Sequence, residues 1–355
     1  MKILLIGGTK FLGRHLVVAA QERRHDVTIF HRGHHSSAGL EGIEEICGDR
    51  NEDLSQLQGR QWDAVIDTCG YLPQTVKASA EALRNAAGQY VFISSVSAYT
   101  DFKLADYNET TPLATLTPAQ AATVAAIDPK ADITAAGLGE LYGALKARCE
   151  HEAQQVFDAR TLVIRPGLLV GPLDPTDRFT YWVSRVARGG EVLAPGSPNR
   201  FVQFMDARDL AQWIVELLER NAAGVFNAAC PPFSLTFAQL LEAIKAVSQS
   251  DAYFTWADDA FLKQQGVKEW SEMPLYLAQS SQETSGFMAA NIDKALAANL
   301  TFRPLADTIR DTLAWHATQP GPLQAGLEYA REKKLLDTWH RTSKGAGITP
   351  AADTR

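Results

Sequence analysis

Four apolar residues, Ile3-Leu4-Leu5-Ile6, run directly into Gly7-Gly8-Thr9-Lys10-Phe11-Leu12-Gly13 and then into a helical pattern over Leu12–Arg24. A buried strand, a glycine turn and a helix in immediate succession constrain this chain more than any other feature. Gly7 lets the backbone turn sharply off the strand, and Gly13 lets the helix lie close to the sheet. The helix N-terminus then offers unpaired N–H groups and a positive dipole end, which suits a pyrophosphate. Gly7, Thr9, Lys10, Phe11, Leu12 and Gly13 are therefore the candidate phosphate contacts. The apolar run breaks into glycine too early for a secretory leader, and no small-residue cleavage site follows, so a buried strand is expected instead.

The alternation continues. Val27–Phe30, Ala64–Asp67, Tyr90–Ser94 and Thr161–Ile164 read as strands, Val225–Ala228 as one more, and Thr75–Ala87 as a second helix. Continuous apolar strands separated by helices predict a parallel sheet covered on both faces. The expected architecture is α/β: a Rossmann-fold doubly wound parallel sheet with a smaller C-terminal substrate-binding domain. Residues 1–170, joined discontinuously by 201–230, form the dinucleotide-binding part; 171–200 and 231–343 form the smaller domain; 344–355 form a disordered tail. The Ala-, Thr- and Pro-rich stretch Thr110–Thr134 reads as an insertion or flap with a short helix at Pro118–Ala126.

A net charge of -7 argues against a nucleic-acid partner, whose affinity rests on phosphate neutralisation. No apolar run approaches the roughly 18 residues of a spanning helix, so no membrane role is expected. Cys47, Cys69, Cys149 and Cys230 are widely spaced without a CxxC pair, as suits reduced thiols in a cytoplasmic protein. His34-His35 sits in a Gly/Ser-rich stretch without partner ligands at zinc spacing, so it reads as a solvated loop and no metal is expected.

Chemistry gathers at two places. Val91-Phe92-Ile93-Ser94-Ser95-Val96-Ser97-Ala98-Tyr99 sets hydroxyls at the C-terminal end of a strand, the edge where ligands sit in open α/β sheets. Tyr142-Gly143-Ala144-Leu145-Lys146 opens a helix, and its spacing of four puts the phenol and the ammonium on one face. A phenol with a pKa of about 10 needs such a neighbour to act near neutrality. The second strand ends at Phe30-His31-Arg32, without the acid that commonly meets an NAD ribose. Arg32 and Lys10 could instead meet a 2′-phosphate, so the reading leans to NADP over NAD.

Together these motifs resemble the extended short-chain dehydrogenases/reductases, the NAD-dependent epimerase/dehydratase-like proteins. Within them the chain is similar to the atypical group opening GGT-x-F-L-G-R. The likeness runs from Met1 to about Ala228. It implies that Tyr142 is the acid/base, that Lys146 holds the nicotinamide ribose and lowers the tyrosine pKa, and that Ser95 orients the substrate oxygen. It also implies adenine contacts at Asp49 and Arg50 in Cys47-Gly48-Asp49-Arg50, cofactor contacts at Cys69-Gly70, and Pro166 beside the nicotinamide carboxamide. A homodimer through the Tyr142 helix is implied as well.

Several departures narrow the reaction. Val96-Ser97 stands where sugar-nucleotide dehydratases of the family carry Asp-Glu, so no carboxylate is placed to protonate a leaving hydroxide. Leu168 replaces an asparagine typical of sugar-nucleotide members. The arginine that grips a substrate diphosphate would fall at Val202, with Arg200 two residues away as its substitute. Candidate substrate contacts are Tyr71, Ser95, Asp177, Arg178, Tyr181 and Gln203. The insertion before Tyr142 suits a lid, and Trp256, Trp270 and Met273-Pro274 read as core packing, with the lining of a substrate pocket as the alternative. The expected activity is an NAD(P)-dependent oxidoreductase or epimerase acting by hydride transfer at a hydroxyl or carbonyl carbon of a small molecule. A sugar or sugar nucleotide is one such substrate class. The alternatives on the same scaffold are an RNA-binding protein, as in similar plastid members, and a cofactor-sensing regulator.

Overall fold

Alternate residues of the first strand face opposite ways, and each set finds its own core. Ile3 and Leu5 are buried with Ile29, Ile66, Val91 and Ile93, whereas Leu4 and Ile6 are buried with Phe30, Val65, Tyr90 and Phe92. A strand with period-two geometry and apolar residues at every position must be covered on both faces. The computed structural model, which describes residues 1–131, 133–278, 283–319 and 321–345, shows that cover. Helix α1 (Phe11–Glu22) and the helix Ala207–Glu219 supply one layer, and helix α2 (Pro73–Leu83) and the helix Tyr142–Phe157 supply the other.

Between them lie β1 (Lys2–Ile6), β2 (Asp26–His31), β3 (Glu44–Cys47), β4 (Trp62–Asp67), β5 (Ala87–Ile93), β6 (Thr161–Pro166) and the strand Gly224–Ala228. Their spatial order is Gly224–Ala228, β6, β5, β4, β1, β2, β3, with every neighbouring pair parallel. The expected Rossmann-type α/β sheet is therefore present. After β1 the chain builds outward through β2 and β3, then returns to lay β4 on the other side of β1. That reversal is a topological switch point, where a crevice opens outside the carboxyl ends of the strands.

One strand has no counterpart in the expected pattern, and one expected helix is shifted. The strand β3 has no apolar run: Glu44, Glu45 and Cys47 are exposed and only Ile46 is buried, as befits an edge strand blunted by charge. Helix α2 starts earlier and ends earlier than its apolar spacing suggests, because Pro73 opens it and Ala87 already belongs to β5.

The chain divides into two units. The first comprises Met1–Leu169, Gln203–Pro232 and Gly286–Arg303; the second comprises Val170–Val202, Phe233–Ser285 and the chain from Pro304 onward. The return of Gly286–Arg303 to the first unit corrects the assignment of all of 231–343 to the smaller domain. Ile292, Ala295 and Leu300 are buried in the α1-side core. The Trp213 indole donates to Ala298 O at 3.0 Å, and Lys294 Nζ donates to Val225 O at 2.6 Å.

In the second unit the parallel strands Glu191–Pro195 and Tyr253–Ala257 lie with the helices Arg178–Ala187, Phe237–Ser248 and Leu305–His316. Trp182, fully buried, donates its indole N–H to Pro274 O at 2.7 Å and meets Phe237 edge-on. Trp256 also meets Phe237 edge-on, in the packing role expected of it. Lys344 and Gly345 close the helix Tyr329–Gly345, and the rest of the expected tail lies outside the described residues. Among the described residues no helix is long and apolar enough to cross a membrane.

Candidate functional site

The glycine turn sits at the switch point, and its glycines are required by contact. A side-chain carbon on Gly7 (φ +99°) would lie 2.4 Å from Thr68 Oγ1, and one on Gly13 would lie 2.5 Å from the Gly8 α-carbon. Thr68 Oγ1 donates to Ile6 O at 2.9 Å, so the turns after β1 and β4 are joined across the crevice. Helix α1 begins at Phe11 with Lys10 as its N-cap, without a side-chain cap and without an acid in its first turn. Its first N–H groups therefore point from an uncapped, electropositive end. Lys10 is exposed, Thr9 half-buried, and Leu12 is buried in the core, so only the Leu12 backbone can face a ligand.

The end of β2 carries no acid of its own, yet Glu45 of β3 reaches it. His31 Nε2 lies 3.1 Å from Glu45 Oε2, and Ser37 Oγ donates to Glu45 Oε1 at 2.7 Å. The hydroxyl of Ser37 and the imidazole of His31 hold this carboxyl below its ordinary range. The loop beyond is fastened to α1 by Arg14, which donates to Ser36 O at 3.2 Å and to Ala38 O at 2.5 Å. Arg32, half-buried, stands at the start of that loop.

Asp49 and Arg50 follow β3 as expected, but Arg50 is not turned outward. Its guanidinium is buried and donates to both oxygens of Asp67, at 2.8 and 2.6 Å, and to Ser79 Oγ at 2.9 Å. Tyr90 adds its hydroxyl to Asp67 Oδ2 at 2.9 Å. Burial pushes the Asp67 carboxyl up, but Arg50 and these bonds outweigh it and hold Asp67 below the usual carboxylate range. Arg50 thus braces the turn from beneath, a correction to its expected contact with adenine. Asp49 Oδ1 accepts from the Asn51 backbone N–H at 2.8 Å and remains half-buried at the surface of the turn. Cys69 donates its thiol to Ile6 O at 3.6 Å, and burial raises its pKa, so it stays a protonated packing group. A side chain on Gly70 would strike Phe92 and Val76 at 2.6 Å.

Past β5, Ser95 is extended, and its side chain accepts from the Ser97 N–H at 3.1 Å, folding Val96–Ala98 into a tight turn. The helix Tyr142–Phe157 lies directly on this turn: a side-chain carbon at Gly143 would be 2.0 Å from Ser97 O. Gly143 is not among the expected site residues, although a glycine inside an otherwise good helix is itself a signal of close approach. One turn on, Lys146 Nζ is buried and donates to Ile93 O at 2.6 Å and Gly70 O at 2.9 Å. Its ammonium stands 4.3 Å from the Phe92 ring centroid and 5.5 Å from that of Tyr71. Burial lowers the Lys146 pKa, although nearby Cys149, Asp67 and Glu150 favour its charge. Pro166, closing β6, is buried beside Ala228 of the next strand.

Tyr71 and Tyr142 are half-buried in one apolar cluster with Leu72 and Leu145, and the insertion contributes Leu116, Val124, Ile127 and Ile133 to it. The insertion is also hooked to the Asp49 turn: Asn51 Nδ2 donates to Pro129 O at 2.9 Å, and Lys130 pairs with Glu52 at 2.7 Å. Its short helix, Pro118–Ala125, carries a capping box of Thr117 and Gln120.

The expected substrate contacts fare unequally. Gln203 is buried, with Nε2 donating to Cys230 O at 2.8 Å and Ala290 O at 2.9 Å while Oε1 accepts from Ala290 N–H at 2.9 Å. It is a staple of the first unit, not a free contact. Tyr181 is likewise a core residue, its ring packed against Gly326 and edge-on to Trp182. Asp177 precedes the helix Arg178–Ala187 in left-handed conformation and accepts from the Gln324 N–H at 2.9 Å. Arg178 stacks over Trp270 at 5.1 Å. Arg200, the expected substitute for a diphosphate clamp, is buried, bonded to Asp259 at 3.2 Å and to Leu277 O, and Tyr276 covers it at 4.5 Å. Its place is taken by protein groups.

The comparisons with known proteins agree with this layout. The chain is 26% identical over 245 residues to the chloroplast stem-loop binding protein of 41 kDa b from Arabidopsis thaliana; the match covers 64% of this chain and 58% of that protein. It shares its fold with a UDP-glucuronic acid 4-epimerase from Bacillus cereus in complex with NAD (TM-score 0.61, 18% identity, 89% and 98% of the two chains). It shares it also with human epimerase family protein SDR39U1 (isoform 2) with NADPH (TM-score 0.57, 18% identity, 88% and 99%). The description of the NAD dependent epimerase/dehydratase family fits residues 3–229, from the first strand of the sheet through the last, and the chain belongs to that family.

Proposed function

We propose that this protein is an NAD(P)-dependent oxidoreductase or epimerase of the short-chain dehydrogenase type, with Tyr142 as acid/base. The observation that carries this reading is the packing of the Tyr142 helix, through Gly143 and Lys146, onto the serine turn beyond β5. The glycine turn suits a dinucleotide: Thr68 and Gly8 leave no room for side chains at Gly7 and Gly13, which keeps the turn tight, and α1 meets it with an uncapped N-terminus. Gly7, Thr9, Phe11 and Gly13 would hold the pyrophosphate, the Asp49 turn the adenine, and Cys69-Gly70 and Pro166 the nicotinamide half. When bound, the nicotinamide supplies the hydride donor or acceptor. Tyr142 takes or returns the proton of the substrate hydroxyl, Ser95 holds the same oxygen, and the Lys146 ammonium favours the phenolate.

NADP is the better fit of the two cofactors. Lys10 and Arg32 would meet a 2′-phosphate, and Glu45, which reaches the end of β2, is engaged by His31 and Ser37. Among proteins of this fold, the human relative was solved with NADPH and the Bacillus cereus one with NAD. The substrate is a hydroxyl or carbonyl compound that needs no diphosphate clamp, because Val202 is buried and Arg200 is bonded to Asp259.

The test is titration with NADPH and NADH by nicotinamide fluorescence, followed by a carbonyl-reduction screen. Tyr142→Phe should bind cofactor like the wild type and lose turnover by about 10²-fold or more, the scale of removing a general acid. A wild type that binds neither dinucleotide refutes the reading. The stem-loop binding relative favours RNA as a second reading; salt-dependent binding of an RNA hairpin without dinucleotide binding would select it.

A further inference from the structure

Beneath the serine turn lies a buried polar chain that the proposed chemistry does not use. Glu150, 1% exposed, accepts from the hydroxyl of Ser94 and from Arg165, whose Nε lies 3.0 Å from Oε1 and whose Nη2 lies 2.6 Å from Oε2. Arg165 Nη1 donates onward to the Tyr99 hydroxyl at 2.9 Å, and Tyr99 donates to Asn227 Oδ1 at 2.6 Å. Both carboxylate oxygens and the guanidinium are therefore partnered, which is what keeps such charges tolerable in an apolar interior.

Tyr142, Lys146 and Glu150 follow one another at intervals of four, so they form a single stripe along the helix. Two of them grip consecutive residues at the end of β5: Lys146 holds Ile93 through its carbonyl, and Glu150 holds Ser94 through its side chain. Gly143 of the same helix rests on Ser97 O. Ser95, between these anchors, has its rotation about the strand end fixed from both sides. The Ser94 backbone is itself held, its N–H donating to Ile164 O at 2.7 Å, and Glu150 adds the hold on the Ser94 side chain.

We propose that Glu150 is a positioning residue: by anchoring Ser94 it fixes the Ser95 hydroxyl relative to Tyr142 on the same helix. This inference rests on the proposed roles of Ser95 and Tyr142. Glu150→Ala would strand a buried arginine and unfold the site, so the informative variant is Ser94→Ala, which leaves the Glu150–Arg165 pair intact.

The experiment compares wild type and Ser94→Ala as NADPH-loaded full chains, with phenanthrenequinone, an aromatic diketone, as the carbonyl probe. The expected result is a kcat lowered about tenfold, as for a small misplacement of a reacting group, with KM, NADPH affinity and Tm unchanged. Amide hydrogen exchange at Ser97, Ala98 and Tyr99 should quicken at the same time. An unchanged kcat overturns the proposal, and so does a fall in Tm with KM worsened in step, which marks a merely structural role. A wild type without turnover on the probe leaves the judgement to exchange alone. Unchanged exchange then overturns the anchor, and faster exchange at constant Tm supports it, while titration with NADPH and NADH decides the enzyme reading.

Discussion

Two carboxyl groups, one in each unit, are equally hidden from solvent and titrate in opposite directions. Asp67, at the end of β4, accepts four hydrogen bonds, two of them from the Arg50 guanidinium. Asp174, in the second unit, accepts from the Thr176 N–H at 2.8 Å and its hydroxyl at 2.7 Å through Oδ1 alone. Among the described residues its Oδ2 is buried without a hydrogen-bond partner. Burial raises the Asp174 pKa to about 6, whereas Arg50 overrides burial at Asp67. What decides a buried acid is therefore the completeness of its partners, not its depth. Asp67 belongs to the frame that fixes the crevice. Asp174 belongs to a stretch in which Gly171, Leu173 and Asp177 all take positive φ.

The comparison can be broken first at its strong member. Asp67→Asn leaves Arg50 as a buried charge without its counter-ion and should cost about 3–5 kcal/mol in urea unfolding. Replacing both partners with apolar residues, Asp67→Leu with Arg50→Met, should return much of that loss; a double variant as weak as the single one would contradict the ion-pair account. The weak member is tested by pH. With its folded pKa raised, Asp174 contributes stability below the unfolded carboxyl pKa of about 3.9 that is lost as pH rises through about 6. Relative to Asp174→Asn, which does not titrate, the wild type should lose roughly 2–3 kcal/mol between pH 4 and pH 8, at 1.36 kcal/mol per unit. A constant difference across that range would contradict it. The smallest effect belongs to the two cations beside the phosphate turn, Lys10 exposed and Arg32 half-buried. Lys10→Ala and Arg32→Ala should each weaken NADPH about tenfold, about 1.4 kcal/mol, while leaving NADH nearly unaffected, read by fluorescence titration. Equal losses for both dinucleotides would instead place these cations on the pyrophosphate.

Much of the first unit was legible because most of its strands carry continuous apolar runs, such as Ile3–Ile6 and Tyr90–Ile93, and glycines interrupt them at the turns. The edge strand β3 was not, since a strand with one buried residue leaves no periodic trace. Gly7 and Gly13, named for backbone geometry, are held to glycine by contacts within 2.5 Å, and Gly70, named through the family resemblance, by contacts at 2.6 Å. Polar side chains were the least legible. Arg50 and Gln203 carry the composition of ligand contacts, yet each is taken up by groups distant in sequence, Asp67 for one and Ala290 for the other. Glu150 is illegible for the same reason, because its partners Ser94 and Arg165 converge only after β5 and β6 have paired.

The route of the chain through the sheet has a consequence for synthesis. The sheet's last strand, Gly224–Ala228, and the segment Gly286–Arg303 that covers it arrive long after β6. While the ribosome is still making the residues between, β6 presents an open parallel edge of Leu162, Val163 and Ile164. Such an edge is a template for pairing with another chain. A product ending before Gly224 leaves that edge unpaired and is expected to aggregate instead of folding as a smaller domain.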